Sequence, residues 1–310
     1  MLRVFFSVLR SKVIAQVYRV AYKIKPRYAS DIMYLRAFGK KQNLDSPQNL
    51  IEKINWMQFN TDTSLWTLCA DKYRMRGYVA SKGLEDHLPK LYGHWANPDE
   101  IVFDNLPSEF VLKSNNGCGT VKIVRDKSQL DIPATRKMMR SWLKPYGYIG
   151  GQTHYLRIKP CIIAEELLNQ DESEKAFSPL SLVDYKMWCI NGEPESIWVA
   201  FNRHNALYVN MALYDTSWNP IPHYLRNTRL ETYNPDIDVP RPSCLDEMFD
   251  IARKLSAPFP ELRLDFYVIN GKPYIGEMTF TSGYGFYTDD YYDYLGRKTD
   301  LSKVARQYNS

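Results

Sequence analysis

The sequence predicts an α+β protein in two lobes, preceded by a helical segment. Three observations predict it. Apolar runs of strand length recur between residues 109 and 280, separated by Gly-, Asn- and Pro-bearing stretches. Two pairs of runs close on Asn-Gly, a signature of tight hairpins and so of antiparallel pairing. Around them, apolar residues return every three or four positions, as on helices that flank a sheet. No internal repeat is present.

The elements follow in order. Residues 1–30 hold Arg3, Arg10, Lys12, Arg19, Lys23, Lys25 and Arg27 and no acid, so a net charge of +5 over 310 residues leaves the remainder at −2. The basic character belongs to one end, and no nucleic-acid partner is expected. Val13, Val17, Val20 and Ile24 share one helical face, flanked by Lys12, Gln16, Arg19 and Lys23, and Pro26 ends the pattern. Two readings stay open: this face packs on the body, or it lies on an anionic membrane surface as a basic amphipathic helix. Arg10 and Lys12 interrupt the apolar stretch, which argues against a secretory signal.

Residues 30–66 read as helical, with a start at Asp45/Ser46-Pro47 before Ile51, Ile54 and Met57. A helix over Asp71–Lys82 ends near Gly83. Glu109–Lys113 and Thr120–Val124 read as strands around the loop Ser114-Asn-Asn-Gly-Cys-Gly119. A helix over 133–146 precedes an apolar strand at Cys161–Ala164. The first hairpin spans Asp184–Ile190 and Glu195–Phe201, the second Arg263–Ile269 and Tyr274–Phe280. Between them, residues 218–242 carry five of the 18 prolines and predict an irregular excursion before a helix at Asp246–Leu255. This divides the chain into a basic helical segment (1–65), a first subdomain with the Gly-rich loop (66–164) and a second subdomain (165–310).

Composition narrows the function. At 45% hydrophobic and 24% charged, the chain can bury a full core, and no run of eighteen apolar residues exists to span a membrane. Cys69, Cys118, Cys161, Cys189 and Cys244 are odd in number and widely spaced, which favours a reducing, cytoplasmic setting over a disulfide framework or a zinc site. The five histidines form no metal-type pair, and G-x-S-x-G is absent.

Two features carry chemistry. Lys113 feeds straight into a loop of small residues, whose N–H groups can approach a polyphosphate; the same loop also reads as a solvated hairpin tip. On the second hairpin, Arg263, Asp265 and Tyr267 share one strand face, and Ile275, Glu277 and Thr279 share one on the partner strand. A three-residue turn sets Asp265 directly across from Glu277, whereas a two-residue turn sends the two acids to opposite faces. Facing carboxylates repel unless a cation such as Mg²⁺ joins them. Lys72 at a helix start, Glu165-Glu166-Leu167 after a buried strand, and Lys186 and Arg203 on or after the first hairpin are weaker candidates. Thr281-Ser-Gly-Tyr-Gly285 follows the acidic strand, within reach of a second substrate.

The ordered set Asp71-Lys72-Tyr73, Leu106-Pro-x-x-Phe-Val-Leu-Lys113-x-Asn-x-Gly-x-Gly119, Ile162-Ile-Ala-Glu165-Glu166, Asp184-Tyr-Lys186, Arg263-x-Asp265-Phe-Tyr267 and Gly276-Glu277-x-Thr279-Phe-Thr281 resembles the TupA-like branch of the ATP-grasp superfamily. That branch is named for teichuronopeptide biosynthesis and is associated with bacterial surface polysaccharides. The resemblance covers about residues 45–290. It implies an ATP-grasp fold, in which two α+β subdomains clamp ATP. Lys72 and Lys113 would meet the α- and β-phosphates, and the loop with Asn116, Gly117 and Gly119 would cover the triphosphate. Glu165, Glu166 and Leu167 would form the adenine hinge. Lys186, Arg203 and Arg263 would be the catalytic cations, the first two near the γ-phosphate. Asp265 and Glu277 would hold Mg²⁺, and Thr279, Thr281, Ser282 and Gly283 would touch substrate. The superfamily usually has Glu-x-Asn where this chain has Glu277-x-Thr279, and a hydroxyl is the poorer metal ligand.

The implied reaction is carboxylate activation by ATP followed by amine attack, joining a uronic acid of a surface glycan or its precursor to an amino acid or amine. Such phosphoryl transfer needs positioned cations and no protein nucleophile. An ATP-grasp kinase and a glycosyltransferase are the alternatives; Asp236-Ile-Asp238 has the spelling of a nucleotide-sugar metal motif but lies in the Pro-rich excursion. The expected location is the cytoplasm, with peripheral contact at the inner membrane face if the basic helix meets it.

Overall fold

The computed structural model describes residues 2–205, 208–226, 231–232, 238–281, 284–302 and 304. Helices α1 (Leu2–Ile24), α2 (Pro26–Phe38), α3 (Leu50–Asn60), α4 (Ser64–Ala70) and α5 (Met75–Ala80) come first. Strands β1 (Leu91–Trp95), β2 (Phe110–Ser114) and β3 (Val121–Val124) follow, then α6 (Ile132–Trp142), α7 (Thr153–Leu156), β4 (Ile162–Glu165) and α8 (Glu172–Lys175). The last third holds β5 (Asp184–Ile190), β6 (Glu193–Asn205), β7 (Tyr208–Asp215), β8 (Glu231–Thr232), α9 (Leu245–Ser256), β9 (Glu261–Ile269), β10 (Lys272–Thr279) and α10 (Asp289–Lys298).

These strands make two sheets. One is four-stranded and antiparallel, in the order β1-β4-β2-β3, and the other is six-stranded, β10-β9-β5-β6-β7-β8, with only β7–β8 parallel. The fold is therefore α+β, and both Asn-Gly hairpins, β5–β6 and β9–β10, pair antiparallel within the larger sheet. The smaller sheet buries Phe110, Leu112, Ile162 and Ala164 against Met139 of α6. The larger sheet carries the main core, which α9 covers with Leu245, Met248, Ile251 and Leu255. Ile51, Ile54 and Met57 of α3 and Trp66, Cys69 and Val79 of α4 and α5 join that same core.

Several elements differ from the sequence expectation. The helix expected at Asp45/Ser46 starts at Leu50, because Asn43 Oδ1 accepts the Asp45 and Ser46 amides in a local turn. Asn49 is the N-cap, its Oδ1 accepting from Glu52 N at 2.9 Å, while the Glu52 carboxylate reaches back to the amides of Gln48 and Asn43. The helix expected over 71–82 is shorter. Asp71 Oδ1 accepts the Tyr73 and Arg74 amides in a turn ahead of α5, and Gly83 takes φ +68° after it. Strand β7 was not legible, since Asn210 breaks its apolar run. Asp236 lies outside the described residues.

The valine face of α1 does not pack on the body. Val13, Val17, Val20 and Ile24 are 57%, 49%, 48% and 70% exposed. Instead Tyr18 and Ala21 pack on Ala29 of α2, with Ile14, Tyr22, Ile32 and Met33 around them. The aromatic rings, larger than the valines, take the covered side.

Candidate active site

The second hairpin turns in two residues, Asn270 and Gly271, at φ +51° and +73°. Lys272 pairs with Ile269, and parity at that turn would part the two acids. Asp265 is nonetheless the register partner of Glu277. The ladder slips between Ile275 and Glu277, so Gly276 is an unpaired bulge residue that restores the alignment. A Cβ at Gly276 would lie 2.9 Å from Tyr267 Cε2, so glycine is what fits.

Asp265 is also the register partner of Lys186 on β5, so Glu277, Asp265 and Lys186 form one row across three strands. Lys186 Nζ donates to Asp265 Oδ2 at 2.6 Å and Asp184 Oδ2 at 2.5 Å. Arg263 grips Asp265 with Nε at 2.6 Å and Nη2 at 2.7 Å, and Nη2 also meets Thr279 Oγ1 at 3.1 Å. Burial pushes the Asp265 carboxyl up, but Arg263 and Lys186 outweigh it and hold it below the usual carboxylate range. Asp184 is pushed the other way: burial raises it, Lys186 offsets only part, and its Oδ1 has no partner. Tyr267 is raised, first by the Asp184 charge and then by burial.

Lys72 joins this row to the Gly-rich loop. Its Nζ donates to Gly117 O at 2.9 Å and to Glu277 Oε1 at 3.2 Å, while its backbone N–H binds Asn115 O at 3.0 Å. The loop is fixed from beneath: Asn115 Nδ2 donates to Lys159 O, Asn115 Oδ1 accepts from Cys161 N, and Asn116 Nδ2 donates to Lys144 O. Asn116 Oδ1 is buried without a partner. Gly119 takes φ +70°, and a Cβ on Gly117 would fall 2.4 Å from Thr120 Oγ1.

At the other end of the small sheet, Lys113 Nζ meets Glu165 Oε2 at 2.8 Å and Arg76 Nη1 meets Glu165 Oε1 at 3.1 Å. Glu165 is buried, Glu166 is exposed and backbone-paired to Lys90, and Leu167 is buried. Arg203 is exposed on β6, near enough for its charge to act on Tyr267 but in no hydrogen bond with the Asp265 cluster. Thr281 is buried and accepts from Gln152 Nε2 at 2.9 Å. Ser282 and Gly283 lie outside the described residues. Lys72, Lys186, Arg263, Asp265, Glu277 and Thr279 are thus brought together, and Lys113 and Glu165 form a second cluster.

Asp184, Arg76 and Gln152 also take part in these clusters. Asp184 was legible in principle, since strand alternation places it on the face of Lys186. Arg76 and Gln152 left no local signal; only tertiary packing brings them to Glu165 and Thr281.

The pattern of the family described as TupA-like ATPgrasp matches residues 52–299. The chain belongs to the TupA-like ATP-grasp family. No curated protein is similar enough in sequence to be matched. Among solved structures it is similar to D-alanine–D-alanine ligase from Bacillus anthracis complexed with ATP, at 15% identity and TM-score 0.39, covering 72% of this chain and 57% of that one. It is similar to L-amino acid ligase from Bacillus licheniformis at 14% identity and TM-score 0.44, covering 71% and 44%. D-alanine–D-alanine ligase from Helicobacter pylori shows 13% identity and TM-score 0.43, covering 83% and 68%. The chain spans less than three-fifths of the Bacillus anthracis ligase.

Proposed function

We propose that this TupA-like ATP-grasp protein is an ATP-dependent carboxylate–amine ligase. Its acceptor would be a uronic acid of a bacterial surface polysaccharide or its precursor, and its nucleophile an amino acid or amine. The observation that carries the reading is Lys72, which ties the Gly-rich loop to an acid row already matched by cations. Asp184, Asp265 and Glu277 are balanced by Lys186, Arg263 and Lys72, so the resting cluster is close to neutral. A triphosphate would draw the cations toward itself and free carboxylate oxygens.

The residues fit Mg²⁺. Asp265 and Glu277 offer hard oxygen donors in register, and among the described residues no three His, Cys, Asp or Glu side chains cluster to complete a shell alone. Phosphate oxygens and water would supply the rest. Bound there, Mg²⁺ would neutralise charge on the β- and γ-phosphates.

In the first step an acceptor carboxylate oxygen attacks the γ-phosphorus, the bond to the β-phosphate oxygen breaks, and ADP leaves. The amine nitrogen then attacks the acyl carbon, phosphate departs with the former carboxylate oxygen, and the amine proton passes to solvent. Lys72 and Lys113 would hold the α- and β-phosphates, with Asn116, Gly117 and Gly119 covering them. Glu165, Glu166 and Leu167 would border the adenine. Lys186, Arg203 and Arg263 would meet the charge that builds on the transferring group. Thr279, Thr281, Ser282 and Gly283 would contact the acceptor.

A cleft of about 860 Å³ beside Thr281 supports that placement of the acceptor. Lys144, Tyr146, Tyr148 and Gln152 form one wall and Arg19 of α1 another, so cations and aromatic faces suited to an acidic sugar converge there.

The deciding assay measures ADP, phosphate and amide formation from ATP and Mg²⁺ with panels of uronic acids and amines. Glu277→Gln and Lys113→Met should each lower turnover roughly 100-fold or more without unfolding the protein. Undiminished turnover in both variants would remove the reading. ADP release without an amide would indicate a kinase, and consumption of a UDP-sugar a glycosyltransferase.

A further inference from the structure

We infer that α1 docks the protein on an anionic lipid bilayer through the apolar stripe Val13, Val17, Val20 and Ile24. Each of these side chains is about half exposed or more, and Tyr28 of α2, 47% exposed, extends the stripe. Together they line one apolar groove open to the outside. A contiguous apolar strip left uncovered beside a well-filled core marks a surface that meets something other than water.

Charge identifies the occupant. Residues 1–30 carry seven cations and no acid in a chain whose remainder is net negative. By helical spacing Lys23 lies on one flank of the stripe, where Arg19 stands over the Tyr148 ring at 5.0 Å at the edge of the cleft, and α2 covers the other flank. Asp31, the acid nearest this face, is held by Arg27 at 3.8 Å and Gln42 at 2.7 Å. Headgroups of an anionic bilayer complement that flank while acyl chains accept the valines. No helix among the described residues is long and apolar enough to cross a membrane, so α1 would lie in the interface plane.

Gln16 lines both the apolar groove and the cleft beside Thr281. Docking by the stripe therefore sets the cleft mouth at the lipid surface, where an acceptor carried on a lipid would be met headgroup first. That consequence, unlike the docking itself, rests on the ligase reading.

The test is sedimentation of the full chain, without nucleotide, with vesicles of mixed phosphatidylglycerol and phosphatidylcholine or of phosphatidylcholine alone. The mixed vesicles should bind at least roughly tenfold more tightly, given about fivefold per cation near an anionic surface. Val17→Glu and Val20→Glu, on exposed positions, should weaken binding roughly tenfold or more with unchanged unfolding temperature. Lys23→Gln, which removes one cation, should weaken binding to the mixed vesicles only about fivefold. A thiol-reactive fluorophore on Val20→Cys, with the exposed Cys118 replaced by serine, should shift to the blue with mixed vesicles, which tests the stripe even if a Glu variant misfolds. Absence of binding, binding indifferent to the stripe variants, or a dimer that they convert to monomer would each overturn the inference; the last would make a second copy the occupant. A thermal shift with ATP and Mg²⁺, measured without vesicles, reports the nucleotide site separately, so either idea can fail alone.

Discussion

Asp265 and Glu277 stand in register across β9 and β10, held there by the single extra residue at Gly276. The row they form with Lys186 depends on that bulge. Gly276→Ala would press a methyl on the Tyr267 ring, at 2.9 Å, and should cost about 1–3 kcal/mol in urea unfolding. Deleting Gly276 would turn Glu277 to the opposite face, and the Mg²⁺-dependent stabilisation by ATP in a thermal shift should then vanish.

Asp265→Asn leaves Lys186 and Arg263 buried with too little negative charge, and should destabilise by about 3–5 kcal/mol. Its folded-state pKa lies below the ordinary 3.8, so its stabilising contribution is present above that value and disappears as pH falls through the lowered one. Denaturation of wild type and variant from pH 7 downward should show their stabilities converging in acid.

Two other buried acids act with the opposite sign. Burial pushes Glu174 up to about 8, while the Tyr185 hydroxyl donates to one oxygen and the other has no partner. Glu261 is raised by burial with both oxygens unpartnered. A raised carboxyl favours folding fully below its ordinary value of 4.5 and loses that contribution as pH climbs through the folded value. Stability should therefore fall from about pH 5 to pH 8, and Glu174→Gln with Glu261→Gln should flatten the curve.

Gly117→Ala would set a methyl 2.4 Å from Thr120 Oγ1 and 2.6 Å from Ser114 Oγ, displacing the carbonyl that holds Lys72. Calorimetry should show ATP affinity reduced roughly tenfold or more, at a cost of about 1–3 kcal/mol.

Asn49→Ala removes the N-cap of α3 and one of two hydrogen bonds on the Tyr34 hydroxyl. The expected loss is about 1 kcal/mol, read as a lower urea midpoint with an unchanged slope.

Local spacing alone determined much of this protein. Alternation along a strand settled which residues share a face, so Arg263 with Asp265 and Glu277 with Thr279 were legible before any pairing was known. Asn-Gly marked both hairpin turns, and the ordered motifs carried the ATP-grasp family. Tertiary structure decided what depends on contacts between distant segments. The turn length, taken by parity, would have parted Asp265 from Glu277, and only a bulge six residues away reunited them. Arg76 reaches Glu165 across 89 positions and Gln152 reaches Thr281 across 129, separations at which no periodicity carries information. On α1 the sequence marked an apolar face, but which side α2 covers was settled by the fit of Tyr18 and Ala21 against Ala29. Period follows from a residue's own backbone, whereas register and coverage follow from the shape of the partner.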